Sequence, residues 1–303
     1  MKIITHNGTF HPDDVFSVAV LFIRFGDMEV LRTRDEKFFA DADFLVDVGG
    51  SYNEENNRFD HHQKGSAGER DGGSPYASFG LVWRKFGKDL CRGNEALSSA
   101  IDGKLVAYVD AMDNGAGALQ KIAGDVFPYT IGHAIVAFNP TWKHQTAEEQ
   151  DARFMEAVSF AKGVLQREIS DGEDELAGMK LAEEVYFRSS DKAIAVFDED
   201  YPWEFVLSKY KDAIFAVTPN PVNGTWEVSA VRDDPYNFKN RKDFPAHWGG
   251  KRDGELAEAT GVGDAIFCHN ALFFAVAKSK EGAMLLAQKA LDFKPSARSS
   301  STI

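Results

Sequence analysis

The stretch KIITHNGTFHPDDVFSVAVLFIRF, residues 2–25, predicts a buried strand followed by a helix. The first residues are mostly aliphatic, and the helix begins just after a proline with two acids at its positive end. His6, His11, Asp13 and Asp14 crowd the turn between the two elements. Such a cluster has two interpretations: a polar turn with a capped helix behind it, or one half of a metal site. Other parts of the chain decide between them.

Strand-like and helix-like runs alternate through the first half of the chain. EVLRTR (29–34) and FLVDVGG (44–50) predict two further strands, with a short helix between them. Aliphatic strands separated by helices indicate a doubly wound, mostly parallel α/β sheet. Helical spacing continues between residues 74 and 115, and a long polar-faced helix over 145–190 is predicted to connect to a second domain.

From about residue 191 the pattern changes to the short strands AIAVF, AIFAVTP and TWEVSAVR, followed by a closing helix near 281–293. Antiparallel-like spacing of this kind predicts a smaller α+β domain. We therefore expect a catalytic domain over residues 1–190, including the helical connector, and a substrate-binding or capping domain over 191–303. The final PSARSSSTI is expected to lack regular structure.

Composition excludes several classes of function. The formal net charge of −13 argues against a basic, sequence-reading DNA-binding domain, because phosphate contacts supply most of that affinity. No apolar run is long enough to span a bilayer, and the start resembles neither a signal nor a transit peptide. Two cysteines, Cys91 and Cys268, are too few for a disulfide framework or a thiolate zinc site. We expect a cytoplasmic protein with no membrane contact.

Four separated places collect residues that bind hard or borderline divalent cations. They are the His6–Asp14 turn, Asp47 in VDVGG, Asp60-His61-His62 in RFDHHQKG, and Asp110 with Asp113 in VDAMDNG. Because ligands of open parallel sheets sit beyond the carboxyl ends of the strands, all four are expected to converge on one crevice. Mixed histidine and carboxylate ligation suits Mn²⁺, Mg²⁺, Fe²⁺ or Zn²⁺, and a carboxylate such as Asp47 can bridge two ions.

Each group alone also has a structural interpretation. A single DHH triplet is usually a solvated turn, and Asp13 and Asp14 are typical of the first turn of a helix. Asp47 could belong to a strand-end turn, and Asp110 or Asp113 to a turn before Gly115. Four such groups at the ends of predicted elements are hard to explain by caps alone. The joint pattern favours a metal site.

These residues resemble the signature of the DHH phosphoesterase superfamily, which includes RecJ-type nucleases and family II pyrophosphatases. More closely, THNGTFHPDD, LRTRD, VDVGGSY, RFDHHQKG and VDAMDNG are similar to motifs of the Myg-type (melanocyte proliferating gene) family of metal-dependent hydrolases. Its eukaryotic members are described as 3′→5′ RNA exonucleases. The similarity continues through FNPTW and FPAHWGGKRDGELAEATGVGDAIFCHN, so it spans nearly the whole chain.

The resemblance implies a site with two divalent ions, Mn²⁺ first, with Mg²⁺, Fe²⁺ or Zn²⁺ left open. One ion would be held by His6, His11 and Asp47, and the other by Asp13, Asp47, His61 and Asp110. His62 would face the substrate as a phosphate ligand or proton donor, with Asp60 orienting it; these two form the predicted catalytic pair. Asp14 and Asp113 are weaker candidates, each expected as a cap or as a support for the ligands.

The second domain is expected to hold the rest of the substrate. Arg232, Lys251, Arg252 and His269 are the candidates, since cationic donors suit phosphate oxygens, although each could be an ordinary surface charge. Trp248 could stack on a base or simply pack. Where superfamily members often have a glycine-rich loop, this chain has HNALFFAVAKS (269–279), which predicts a buried strand.

Three hypotheses about function follow. The first is a dimetal phosphodiesterase, a 3′→5′ exonuclease on RNA or short oligonucleotides. The second keeps the ions but takes a small phosphate compound such as a nucleotide or pyrophosphate. The third is a metal-loaded regulatory protein without turnover. The sequence leaves the oligomeric state open.

Overall fold

The computed structural model describes residues 1–115 and 120–294. The chain divides into two compact units, Met1–Glu173 and Asp174–Ile303. The sequence-based boundary at residue 190 stays a prediction, while this division falls inside a long helix. The C-terminal PSARSSSTI lies outside the described residues. Among the described residues, no helix combines the length and apolar character needed to cross a bilayer.

The first unit contains a sheet flanked by helices. Its strands are β1 (Lys2–Thr5), β2 (Glu29–Arg32), β3 (Phe44–Val46), β4 (Tyr52–Asn53) and β5 (Arg58–Phe59). Its helices are α1 (Pro12–Phe25), α2 (Ser78–Leu90), α3 (Glu95–Ile101), α4 (Ala107–Asp113) and α5 (Ile131–Val136), and it includes the first part of α6 (Ala147–Arg188). A 3₁₀ turn over Glu36–Asp41 precedes β3, and a π turn over Asp102–Val106 joins α3 to α4.

The sheet has the strand order β2-β1-β3-β5-β4. β1 pairs in parallel with both β2 and β3, β3 pairs in parallel with β5, and only the short β4 runs antiparallel. The chain therefore winds first to one side of β1 and then to the other, which confirms the predicted doubly wound, mostly parallel α/β fold. This topology creates a switch point between β1 and β3, where such folds place their ligands.

Helix α1 carries the core of the first unit. Residues 15–21 are fully buried, and the ring of Phe16 stacks on Phe79 of α2 at 5.1 Å between centroids. A helix buried on every side must present apolar residues at nearly every position, as this one does. Gly26 follows with φ = 84° and its N–H donates to the carbonyl of Phe22, ending the helix.

The second unit is a smaller α+β unit, as predicted. Its strands are β6 (Ile194–Val196), β7 (Phe215–Asn220), β8 (Thr225–Ala230), β9 (Ala265–Cys268) and β10 (Phe274–Ala277), in the order β6-β7-β8-β10-β9. Its helices are α7 (Glu204–Leu207), α8 (Asp253–Thr260) and α9 (Lys280–Asp292), with a 3₁₀ turn over Ala246–Trp248. All pairs are antiparallel except β6 with β7. The predicted strand in HNALFFAVAKS is β10, preceded by a turn.

Arg241 holds several loops of the second unit together. Its guanidinium donates hydrogen bonds to the carbonyl oxygens of Ser208, Tyr210 and Ala213, and pairs with Asp233 at 2.8 Å. The Arg241 side chain is only 6% exposed. A buried guanidinium needs this many partners, because each unpaired donor would cost free energy.

Candidate metal centre

The candidate centre lies at the carboxyl ends of two neighbouring parallel strands. His6 directly follows β1, and Asp47 directly follows β3. Because these strands pair side by side at the switch point, both side chains reach one crevice. Asp47 has φ = 54°, a left-handed conformation that costs a non-glycine residue roughly 1–2 kcal/mol. Such strain persists where the surrounding structure imposes it, and it is frequent at functional sites.

The start of α1 places three further candidates. The Oδ1 atom of Asp14 accepts from the backbone N–H groups of His11 and Val15, at 3.0 and 2.9 Å, and so caps the helix as predicted. The carboxylate of Asp13 instead accepts from the N–H groups of Ser78 and Phe79, at 3.0 and 2.7 Å. Asp13 is thereby fixed between the first turns of α1 and α2, where the helix dipoles favour a negative charge.

Ligand-type side chains converge in three overlapping groups, each with its ligand atoms within 4.8 Å of one another. The groups are His6 with His11 and Asp47, Asp47 with His61 and His62, and Asp13 with His61 and Asp113. Nε2 of His6 lies 3.3 Å from Oδ2 of Asp47, and Nε2 of His61 lies 3.5 Å from Oδ1 of the same residue. The two oxygens of Asp47 therefore face histidines of different groups, as a bridging carboxylate would.

The chemistry of these atoms fits divalent cations. Nε2 of His6, Nε2 of His61 and Oδ2 of Asp47 are buried and make no hydrogen bond of acceptable geometry, although they lie close together. Buried polar atoms are normally hydrogen-bonded, so these three atoms are expected to bind a further partner. Burial, followed by the charge of the Asp47 carboxylate, raises the pKa of Asp13 well above its usual range. A cation bound among these groups would satisfy these atoms and offset the crowded negative charge.

The histidines and carboxylates of the cluster strongly shift one another's pKa values. Burial opposes a charged imidazole, but Asp14 and Asp47 outweigh it and raise the pKa of His6 to about 10. In the same way Asp113 and Asp47 raise the pKa of His61 to about 11. Burial would also raise the pKa of Asp47, yet the facing histidines lower it below its usual range. A metal ion that binds these histidines would therefore have to compete with protons.

The DHH triplet supplies both buried and exposed groups. Asp60 is buried; its Oδ1 accepts from the backbone N–H of His62 at 3.0 Å and lies 2.8 Å from Nδ1 of the same residue. Its Oδ2 accepts from the N–H of Gly50 at 2.6 Å. The His62 side chain is 61% exposed. The structure thus brings the predicted catalytic pair together, with Asp60 orienting an accessible imidazole.

Asp110 and Asp113 occupy different surroundings although both lie on α4. The two oxygens of Asp110 face Arg70, at 2.5 Å, and the N–H of Gly80, at 2.9 Å, and this residue is outside the three groups. Asp113, the weaker candidate from sequence, lies 3.1 Å from both Nε2 of His61 and Nδ1 of His11. Coordination by Asp110 stays a prediction, and the geometry favours Asp113 for that place.

Sequence analysis missed Arg34, which lines the same cleft of about 520 Å³ as His6, His11 and Asp47. Its Nη1 donates to the side-chain and main-chain oxygens of Asn7. The signal was present in LRTRD, because β2 neighbours β1 in the sheet and Arg34 follows the carboxyl end of β2.

The candidates of the second unit lie in varied surroundings. Arg232 lines a cavity of about 170 Å³ and lies 5.0 Å from the centre of the Phe238 ring. Arg252 covers Phe267 at 4.5 Å, and the ring of His269 lies 4.6 Å from that of Phe273. The backbone N–H of Lys251 donates to the Trp248 carbonyl, and the Trp248 side chain is buried, which favours packing over base stacking. Substrate binding by these residues stays a prediction.

The fold and the cluster define an α/β protein with a candidate divalent-metal centre. The chain belongs to the Uncharacterised protein family (UPF0160), MYG1_exonuc, whose family model matches residues 2–291. MYG1 exonuclease of Mus musculus is 31% identical over 97% of this chain and 86% of its own length. MYG1 exonuclease of Homo sapiens is 29% identical, over 96% and 85%. This confirms the family resemblance, and the family includes hydrolytic enzymes named as exonucleases.

A yeast relative is as similar as the human one, whereas the solved structures are more distant. MYG1 protein C694.04c of Schizosaccharomyces pombe is 29% identical over 97% of this chain and 98% of its own. Among solved structures, the pGpG-specific phosphodiesterase PggH from Vibrio cholerae matches 96% of this chain and 99% of its own with 11% identity and a TM-score of 0.33. RecJ from Thermus thermophilus in complex with Mn²⁺ matches 97% and 52%, with 12% identity and a TM-score of 0.26. Both structural similarities are weak.

Proposed function

We propose that this chain is a phosphodiesterase that uses two divalent ions, and that it removes nucleotides from the 3′ end of RNA or short oligonucleotides. The observation that carries the proposal is the continuous cluster in which Asp47 and His61 each belong to two ligand groups. The names of the curated relatives support nuclease activity.

His6, His11 and Asp47 would hold one ion, and Asp13, Asp47, His61 and Asp113 the other. Two bound ions of this kind activate a water and neutralise charge on phosphate oxygens. The histidine and carboxylate set suits Mn²⁺ well, and Mg²⁺, Fe²⁺ or Zn²⁺ remain chemical alternatives.

His62 would transfer a proton to the leaving group during hydrolysis. Because Nδ1 of His62 is engaged by Asp60, Nε2 is the atom that would protonate the leaving oxygen or donate to a phosphate oxygen. This role needs the imidazolium form, which carries a proton on Nε2 as well as on Nδ1; the Asp60 carboxylate would stabilise that cation, and Asp60 is itself held by the N–H of Gly50. Arg34 would bind a phosphate oxygen from the wall of the cleft, and the cations of the second unit would bind the remaining substrate.

A small phosphate compound is the second candidate substrate. Within residues 1–115 and 120–294, one arginine lines the cleft of about 520 Å³, and the chain carries a net charge of −13. Both features suit a short anion better than a long polyanion, which usually requires an extended basic groove.

The decisive experiment compares substrates and variants. Mn²⁺-loaded protein is incubated with labelled single-stranded RNA, single-stranded DNA, dinucleotides and pyrophosphate, and bound metal is measured in parallel. Stepwise shortening of RNA supports the exonuclease, and cleavage of small compounds alone supports the second candidate. Asp47→Asn is expected to lose both metal and hydrolysis, while Asp41→Asn, an exposed carboxylate of the 3₁₀ turn, retains both. Full metal content in a folded Asp47→Asn variant would refute the assignment.

A further inference from the structure

A second cavity, of about 330 Å³, adjoins the candidate metal centre. It shares His11 with the polar cleft that contains Arg34, and Asp13 and Asp113 also form part of its wall. The remaining lining comes from α4, α5 and the start of α1: Pro12, Tyr108, Val109, Met112, Thr130, Gly132, His133 and Val136. One candidate ligand, His11, thus lines both cavities, and the two differ in chemistry.

The wall away from the ligands is mainly apolar. Met112 and Val136 are 38% and 49% exposed, so the cavity opens to solvent between α4 and α5. Large apolar side chains left partly exposed around a concave surface are typical of ligand-binding sites. At the rim, the ring of Tyr129 stacks on His133 at 5.3 Å and is itself 74% exposed.

Polar groups in this cavity are few. The hydroxyl of Tyr108 is buried, and the described part of the chain offers it no hydrogen-bond partner. Thr130 and His133 engage each other, with Nδ1 of His133 accepting from the backbone N–H of Thr130 at 3.1 Å. One unsatisfied hydroxyl in an apolar cavity can select a ligand that carries a matching polar edge.

We propose that this cavity is the subsite for the nucleoside attached to the scissile phosphate. The inference rests on the proposed function, because it takes the phosphate to lie at the candidate metal centre, beside His11, which lines both cavities. A nucleobase has an apolar face for Met112 and Val136 and a hydrogen-bonding edge for the Tyr108 hydroxyl.

The other cavity suits phosphate and sugar groups better. Its wall contains Arg34, Gly49 and Gly50, which suit phosphate oxygens, and Glu36, which can accept a hydrogen bond from a sugar hydroxyl, beside the apolar Phe39 and Val48. The substrate would therefore lie with its phosphates towards Arg34 and its terminal nucleoside towards Tyr108. This arrangement makes the base itself a source of affinity, which inorganic phosphate or pyrophosphate cannot provide.

Equilibrium binding of two ligands to the Mn²⁺-loaded full chain tests the inference. The probes are adenosine 5′-monophosphate and ribose 5-phosphate, which differ only by the base. The wild type is expected to bind the nucleotide roughly 5- to 100-fold more tightly. Met112→Trp, which fills the cavity, should abolish this preference. Met155→Trp is the matched control, because Met155 on α6 is also 38% exposed and does not line the cavity.

Tyr108→Phe gives a second, milder variant. It keeps the ring and removes the unpartnered hydroxyl, so the preference for the nucleotide should fall about 3- to 10-fold. Equal binding of the two probes by the wild type overturns the nucleoside subsite and leaves the metal centre standing. A preference that survives in Met112→Trp overturns it as well. Failure of both probes to bind overturns the proposed function, and this inference with it.

Discussion

Asp113→Asn and Asp110→Asn form a pair of substitutions that tests which carboxylate of α4 binds metal. The two residues are three positions apart on one helix face, and asparagine changes the charge with little change in volume. Asp113→Asn is expected to lower the affinity for Mn²⁺ at least 10- to 100-fold, because it removes a charged oxygen beside His11 and His61. Asp110→Asn should retain the ions, because its carboxylate is engaged by Arg70 and Gly80.

The effect of Asp113 on the stability of the metal-free protein follows from its pKa. Burial opposes ionisation, but His11 and His61 lower the pKa of Asp113 to about 2 from 3.8. At about 1.4 kcal/mol per pH unit, the ionised carboxylate stabilises the native state by about 2 kcal/mol at pH 7. Because the folded pKa is depressed, this contribution is complete above pH 4 and is lost as the pH falls through 2. Asp113→Asn should therefore lower Tm by about 4–8 °C at pH 7.

Asp110 has the opposite pKa shift and serves as the control. Burial raises its pKa to about 6 although Arg70 lowers it, so the fold disfavours its charge. Asp110→Asn keeps an acceptor for Gly80, and Arg70 keeps Asp102 at 2.9 Å, so the expected loss of stability at pH 7 is smaller. Metal content and thermal unfolding in chelator are measured on all three proteins. Retention of wild-type affinity by Asp113→Asn, or release of an ion by Asp110→Asn, would refute the assignment.

Three further outcomes are expected. His62→Gln should reduce the rate of hydrolysis about 10²- to 10⁴-fold in single-turnover kinetics, because it removes the group that would transfer the proton. The metal content should be unchanged, and loss of metal would contradict this role. The apparent affinity for Mn²⁺ should rise with pH between 6 and 9, because the pKa values of His6 and His61 are raised to about 10 and 11 and binding must release their protons. Calorimetry in buffers of different ionisation enthalpy measures this proton release. An affinity that does not change with pH would contradict metal binding by these histidines. Arg241→Met should destabilise the second unit by about 2–4 kcal/mol in urea, because three main-chain carbonyl groups lose a charged hydrogen-bond donor. Arg153→Met, at an exposed arginine, is the control. An equal effect of both variants would refute the role given to Arg241.

The position of the candidate site could be predicted from the sequence, because it depends mainly on where the parallel strands end. His6 and Asp47 each follow an aliphatic strand, and parallel strands bring their carboxyl ends to one edge. The DHH triplet follows β5, which pairs with β3 in the same direction. Convergence of these groups is thus a property of the topology. The hydrophobic pattern was enough to predict the parallel α/β sheet through β3, but not the short strands β4 and β5.

The choice between Asp110 and Asp113 did not follow, because residues three apart share one face of a helix. What separates them is Arg70, which comes from a loop whose path no local pattern encodes. The division of the chain after Glu173 was not predicted from the local sequence pattern either. Helix α6 continues from Ala147 to Arg188 through SDGE at 170–173, a pattern typical of helix ends, so the local pattern does not report what the chain does there.

The burial of the candidate cluster restricts which substitutions this sequence can accept during evolution. Asp13 and Asp47 are almost fully inaccessible, and each carboxylate faces at least one histidine. Loss of one histidine alone would leave a buried charge without its counterpart, which costs several kcal/mol. A lineage that abandoned catalysis would therefore have to discard imidazoles and carboxylates together. We expect descendants with this fold to carry either the full set or an apolar replacement, and intermediate sets to be rare.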